Sequence, residues 1–217
     1  MLVYLGAFSL SFLFGHLARK SKNTRDNAAL WVFSFLSILC IVLIAGLRDY
    51  SIGIDVKNYL RFPTYWRGAY GSDSVMQYLR RYLADGNTEL LFALMLGIIA
   101  KTTGEYRVFL FAVHTIIITC IYIGAYRQRK YIRYEFVLLF FCLLFFSHSL
   151  NIMRQYLALS IGFAFFADLE QKKYIRYTIV VAISVLFHTS AVAMFYSYRN
   201  VAFWVTLSWR MSWFLPS

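Results

Sequence analysis

Phe136 to Ala167 is almost unbroken apolar sequence (FVLLFFCLLFFSHSL, then LALSIGFAFFA), and near its middle sits Asn151-Ile152-Met153-Arg154-Gln155. About 20 apolar residues suffice to cross a bilayer as a helix. Backbone groups left unpaired in lipid cost too much for open strands or loops, so such a run has to be helical. A single helix would place Arg154 in hydrocarbon, where a charge at the centre of a span costs roughly 2.5–3.5 kcal/mol. The run therefore reads as two helices meeting at Arg154, with the arginine facing a wet, anionic site at their shared end.

The rest of the chain agrees. Of its 217 residues, 60% are hydrophobic and 20% aromatic, and only two are proline. That is too apolar for a soluble domain, and the fold class expected is an all-α polytopic membrane protein with about seven or eight apolar helices. The formal net charge of +12 would raise nucleic acid as a partner in a soluble protein. Here the cations lie mostly in short segments between apolar runs, where they control topology and meet anionic headgroups, so membrane lipids are expected as partners and nucleic acid is not. Cys40, Cys120 and Cys142 all lie inside apolar runs without metal-ligand spacing and read as small packing residues. Met1–Ala18 lacks a basic start and a small-residue cleavage site, so it reads as a first membrane helix rather than a signal peptide.

Expected spans are about 2–18, 29–47, 106–126, 134–150, 151–169 and 176–197, with a shorter apolar piece at 89–100 and a last one from near 201. Three basic clusters separate them: Arg19-Lys20-Ser21-Lys22 with Arg25, Arg127-Gln128-Arg129-Lys130 with Arg133, and Lys172-Lys173 with Arg176. The positive-inside rule places all three in the cytoplasm. A loop at about 48–88 and the turn Ser147–Arg154 then lie outside. Only one crossing fits between Arg48 and Arg127, so Leu90–Ala100 is expected to be re-entrant or to lie on the outer surface. The 48–88 loop carries Tyr59, Tyr65, Trp66, Tyr70, Tyr78 and Tyr82, a density that suits the membrane interface and would also suit stacking on sugar rings. No internal repeat or linker divides the chain, which reads as one domain.

This topology gathers four polar features at one depth on the outer side. They are Arg48; Gly53-Ile54-Asp55 with Tyr59; Asn151 with Arg154-Gln155; and His188 with Thr189 and Ser190. Asp55 and Tyr59 share a face if their segment is helical. Each feature has a plain structural reading: a snorkelling arginine, a turn aspartate, a hydrogen-bonded core histidine, an arginine on helix-end carbonyls. Together they suit a different task. The planar fork of arginine matches phosphate oxygens, and two arginines match a diphosphate. A carboxylate and a histidine can handle the proton of a hydroxyl. No HExxH, paired-aspartate or glycine-rich phosphate motif is present, so neither a metal nor a cofactor is expected.

The series Arg48-x4-Gly53-x-Asp55-x3-Tyr59, Glu89-Leu-Leu-Phe, Asn151-x2-Arg154-Gln155-x-Leu-Ala-Leu-Ser and Phe187-His188-x-Ser190-Ala191 resembles the EpsG family. These are Wzy-type polymerases of O-antigen, capsule and exopolysaccharide. The resemblance covers about 45–197. It implies a multi-pass protein of the bacterial inner membrane with a partial architecture like that of GT-C glycosyltransferases. Its implied reaction moves a growing glycan from undecaprenyl diphosphate onto a lipid-linked repeat unit at the outer face. A chain-length regulator and a flippase are the implied partners. On this reading Arg48 and Arg154 bind the diphosphate, and Asp55 or His188 acts on the acceptor hydroxyl. Gly53, Tyr59, Glu89, Asn151 and Gln155 position the reactants. Family members carry further helices, so the chain reads as a short or truncated member with a C-terminal part missing. A lipid-linked oligosaccharide flippase and a membrane sugar O-acyltransferase are the alternatives.

Overall fold

The computed structural model describes residues 2–62 and 64–196; the apolar piece expected from about 201, with Arg199 and Arg210, lies outside them. Every regular element among the described residues is helical. Helix α1 (Leu2–Asn23) and α2 (Asn27–Gly46) form an antiparallel hairpin. Asp26 starts α2 by accepting the Ala29 N–H at 3.0 Å, which satisfies one of the free donors of a helix N-terminus. Ser11 and Ser37 lock the pair reciprocally, each hydroxyl donating to the other's carbonyl at 2.8 Å. Small residues at this contact let the two backbones approach, as packing between membrane helices favours.

Three short helices follow, α3 (Ile54–Arg61), α4 (Trp66–Gly71) and α5 (Val75–Ala84), and then α6 (Leu90–Thr103) and α7 (Tyr106–Arg127). The segment expected as a loop at 48–88 is thus largely helical. Most of its aromatic rings turn inward: Tyr59, Trp66, Tyr78 and Tyr82 are buried, whereas Tyr70 is exposed. Fourteen residues make α6 about 21 Å long, short of a bilayer core of about 30 Å. Phe92 in its first turn meets Phe109, one turn into α7, with ring centroids 5.6 Å apart. The two helices therefore start at one level, and α6 does not run down the length of α7. Gly104, with φ of 68°, closes α6 and donates its N–H to Ala100, a left-handed cap that glycine adopts without strain.

The apolar run Phe136–Ala167 splits where Arg154 requires. Tyr134–Asn151 is one membrane-length helical stretch, comprising α8 (Tyr134–Phe140), a π-helical turn at Phe141–Phe145 and α9 (Phe146–Asn151). Ile152, with φ −126° and ψ 59°, breaks it, and α10 (Met153–Ala164) starts immediately. A brief α11 (Ala167–Glu170) leads to α12 (Tyr174–Phe187). The expected span 176–197 is shorter than the sequence implies. Helix α12 stops before His188, whose backbone is extended (φ −160°, ψ 127°), and a 3-10 turn at Thr189–Val192 follows.

Contacts fix the direction of each helix. At one end Arg19 meets Glu135, Lys22 meets Tyr126, and Arg127 and Arg176 meet Asp168. At the other end Tyr4 packs on Phe146, Ile54 bonds to Asn151, and His188 meets Glu89. Helices α1, α7 and α10 run toward the first, basic end; α2, α8–α9 and α12 run away from it. Among the described residues four helices are long and apolar enough to cross a membrane, and α6 and α12 are shorter apolar helices. A large buried core centred on α7 joins α1 through α10, and a smaller one of Leu169, Tyr177 and Val181 seats α12; the fold is that of an all-α polytopic membrane protein.

Candidate functional site

Glu89 is the hub of the end opposite the basic clusters. It stands just before α6, is 7% exposed, and divides its carboxylate between two partners. Oε2 accepts from the Arg154 guanidinium and Oε1 from Nδ1 of His188. Arg154 comes from the first turn of α10 and His188 from the residue that ends α12, so three segments distant in sequence meet on one carboxylate. A buried carboxylate needs such hydrogen-bond donors to offset the loss of water. With Nδ1 committed to Glu89, Nε2 of His188 is left as the working nitrogen of the ring.

An aromatic wall backs Arg154. Its guanidinium carbon lies 5.6, 5.4 and 5.8 Å from the ring centroids of Tyr59, Tyr65 and Phe92, within the range of cation–π attraction. One quarter of the Arg154 side chain remains exposed. The charge is thus held by Glu89 and the rings and still reaches an open surface.

Asp55 supports this arrangement from α3. The expected helix forms there, and Tyr59 donates to Asp55 Oδ2 at 3.2 Å. The same oxygen accepts the Met153 N–H at 2.8 Å, so Asp55 caps α10 across a gap of almost 100 residues. Burial pushes its carboxyl above its ordinary value, opposed by the Met153 N–H, Arg154, the Tyr59 hydroxyl and His188. Burial and the Asp55 charge hold the Tyr59 phenol well above its usual range, which keeps it a donor. Asn151 closes the junction by accepting the Ile54 N–H on Oδ1 at 3.1 Å and donating to the Ser147 carbonyl at 2.9 Å. Gly53 is required at its position. Its φ is +101°, and a Cβ there would lie 2.5 Å from the Leu150 carbonyl oxygen, so any side chain would push α3 away from α9.

Arg48 stands at the expected end of the bundle, against the first turn of α10, but buried rather than open. It is 4% exposed; both terminal nitrogens of its fork are engaged, and its buried Nε has no hydrogen-bond partner among the described residues. Nη1 donates to the Ala45 carbonyl at 3.0 Å and to Nε2 of His114 at 3.1 Å, and Nη2 lies 3.1 Å from Met153 Sδ. Nδ1 of His114 sits 2.9 Å from the Leu110 carbonyl. With Nδ1 as donor, Nε2 is the acceptor that Arg48 needs. Burial lowers the Arg48 guanidinium to about 10, so it stays charged near neutrality. Arg48 packs against Met153, and Arg154, the next residue along, turns to Glu89. Gln155, half-buried next to Arg154, makes no side-chain hydrogen bond among the described residues.

The spacing of the sequence missed His114 and the three-ring wall. An ionisable residue within the apolar span 106–126 is the signal that could have found His114. Glu89 was visible only as a positioning residue; its role as the shared partner depends on where α12 ends, which periodicity does not show.

Among curated proteins and solved structures, none matches the chain. The family whose pattern does match, over residues 31–215, is EpsG, a family of Wzy-type polymerases. That match takes in every residue of the site, and the chain belongs to the EpsG family.

Proposed function

We propose that this chain transfers a growing glycan from undecaprenyl diphosphate to the sugar hydroxyl of a lipid-linked repeat unit. The transfer takes place at the outer face of the bacterial inner membrane. Family membership gives the coarse function, a polysaccharide polymerase. The observation that carries the finer reading is the pairing of Arg154 and His188 on Glu89 at one end of the helix bundle.

In the transfer, the bond between the donor sugar's anomeric carbon and the diphosphate oxygen breaks. A bond forms from that carbon to the acceptor oxygen. His188, oriented by Glu89 through Nδ1, takes the acceptor proton on Nε2, as a positioned general base does. Arg154 draws in the diphosphate and stabilises its negative charge as it leaves, with the planar fork suited to phosphate oxygens. Asp55 serves α10 by capping Met153, and Arg48 steadies the same turn through Met153. A reaction centre at one end of the bundle favours chemistry at a membrane face over transport, whose sites lie near the midplane between repeated halves. A flippase would deliver the repeat units, and a chain-length regulator would limit the product.

The test is polymer formation from lipid-linked repeat units in membranes carrying the chain. Wild type yields a ladder of products. Arg154→Ala leaves single units on their lipid, with no change in the amount reaching the outer leaflet. Normal polymer from Arg154→Ala would refute the diphosphate role.

A further inference from the structure

The basic end of the bundle holds a second concentration of charge, which the transfer reaction does not use. A hollow of about 310 Å³ opens between the last turn of α1 and the α7–α8 connection. Four of its lining residues, Arg19, Lys22, Arg129 and Arg133, are cations, and none is a carboxylate. Glu135, fully buried behind the wall, is already shared by Arg19 at 2.7 Å and Arg133 at 2.9 Å. One carboxylate balances one of these two guanidiniums and leaves nothing for Lys22 and Arg129.

Those two converge on a single ring. Lys22 Nζ lies 4.6 Å and Arg129 Cζ 4.3 Å from the centroid of Tyr126. Lys22 donates to the Tyr126 hydroxyl at 3.0 Å and Arg129 to the Tyr126 carbonyl at 2.9 Å. Among the described residues neither forms an ion pair. Two like charges on one ring repel each other, and an anion between them turns that repulsion into two attractions.

We propose that this hollow binds the phosphate of an acidic lipid headgroup, with Lys22 and Arg129 as its charged contacts. The Glu135-anchored Arg19 and Arg133 form its wall. The lipid source is favoured by position. The hollow sits at the ends of α1, α7 and the Tyr134–Asn151 stretch, each long and apolar enough to span a membrane, and hence at the depth of headgroups. The proposal is independent of glycan transfer and is read by binding alone.

The experiment measures retention of phosphatidylglycerol and of phosphatidylcholine by the purified 217-residue chain in mixed-lipid nanodiscs. Wild type is expected to enrich phosphatidylglycerol. Lys22→Gln with Arg129→Gln should lose that enrichment by roughly fivefold for each charge removed, from the usual contribution of a cation at an anionic surface. The charge-preserving pair Lys22→Arg with Arg129→Lys should retain it, which guards against a folding artefact. Arg61→Gln with Arg67→Gln, an equal loss of charge outside the hollow, should leave it unchanged. Equal loss from both neutralised pairs would overturn the site in favour of general surface charge. Displacement of the lipid by millimolar inorganic phosphate would overturn the lipid assignment in favour of a soluble anion. No enrichment by wild type would overturn both.

Discussion

Asp55 and Met153 are joined by a hydrogen bond of 2.8 Å, from the Met153 N–H to the Asp55 carboxylate. This one contact fixes where α10 begins and hence where Arg154 stands. It also separates two readings of Asp55, as cap and as catalytic base. A cap needs an acceptor oxygen, whereas a base needs a carboxylate that can take up a proton. Asp55→Asn keeps an acceptor for Met153 and Tyr59 and is expected to retain substantial polymer formation. Asp55→Ala should lose about 1 kcal/mol of stability, the usual cost of removing a cap. Thermal unfolding in detergent and product ladders measure the two effects separately.

The pH dependence of stability follows from the same group. Burial raises the folded-state pKa of Asp55 above its unfolded value. Folding then favours the protonated carboxyl. The stability linked to Asp55 is present in full below the ordinary carboxylate range and is lost as pH rises through the folded-state pKa. Asp55→Asn should flatten that decline, as unfolding midpoints collected from acid to neutral pH would show.

Gly53→Ala tests the seating of α3 on α9. The left-handed backbone and the Leu150 carbonyl 2.5 Å from an added Cβ make the change costly, by about 1–3 kcal/mol on the scale of stored backbone strain. Unfolding midpoints of the purified variant measure it, and polymer yield should fall with them.

Arg154→Lys keeps a positive charge but loses the planar fork. It should weaken both the grip on a diphosphate and the stabilisation of its charge as it leaves. The expected result is a lower kcat together with a higher KM for the lipid-linked donor. The loss is about 10-fold or more, in line with one charge-assisted hydrogen bond. Steady-state kinetics in reconstituted membranes give the split.

At the opposite end, Asp168 is fully buried between Arg127 and Arg176. Asp168→Ala strands Arg127 and should destabilise the fold by about 3 kcal/mol, as removing one partner of a buried pair does. The KM for donor in the folded fraction should not move. Unfolding and kinetics on the same preparation check both halves of this expectation.

Much of this architecture is legible in the sequence because membrane helices announce themselves by length and apolarity. The break at Ile152 follows from the cost of burying Arg154, the Asp55–Tyr59 pairing from helical spacing, and the two ends of the bundle from the Lys/Arg clusters. The rest depends on contacts between segments far apart in the chain. Glu135 and Asp168 look like ordinary helix-start acids, yet they are buried ion-pair centres. Arg48 looks like an end-of-helix arginine open to ligand, yet His114 and Met153 enclose it. Neither the spacing of Glu89 nor that of His188 shows that the two meet.

The most direct test of the central claim is the product ladder formed from lipid-linked repeat units by His188→Ala and Glu89→Gln chains, beside wild type in the same membranes. Loss of a general base costs about 10²–10⁴-fold in rate. Both variants are therefore expected to leave single units on their lipid at the outer leaflet while folding and inserting normally. Wild-type ladders from a well-folded His188→Ala chain would contradict the account.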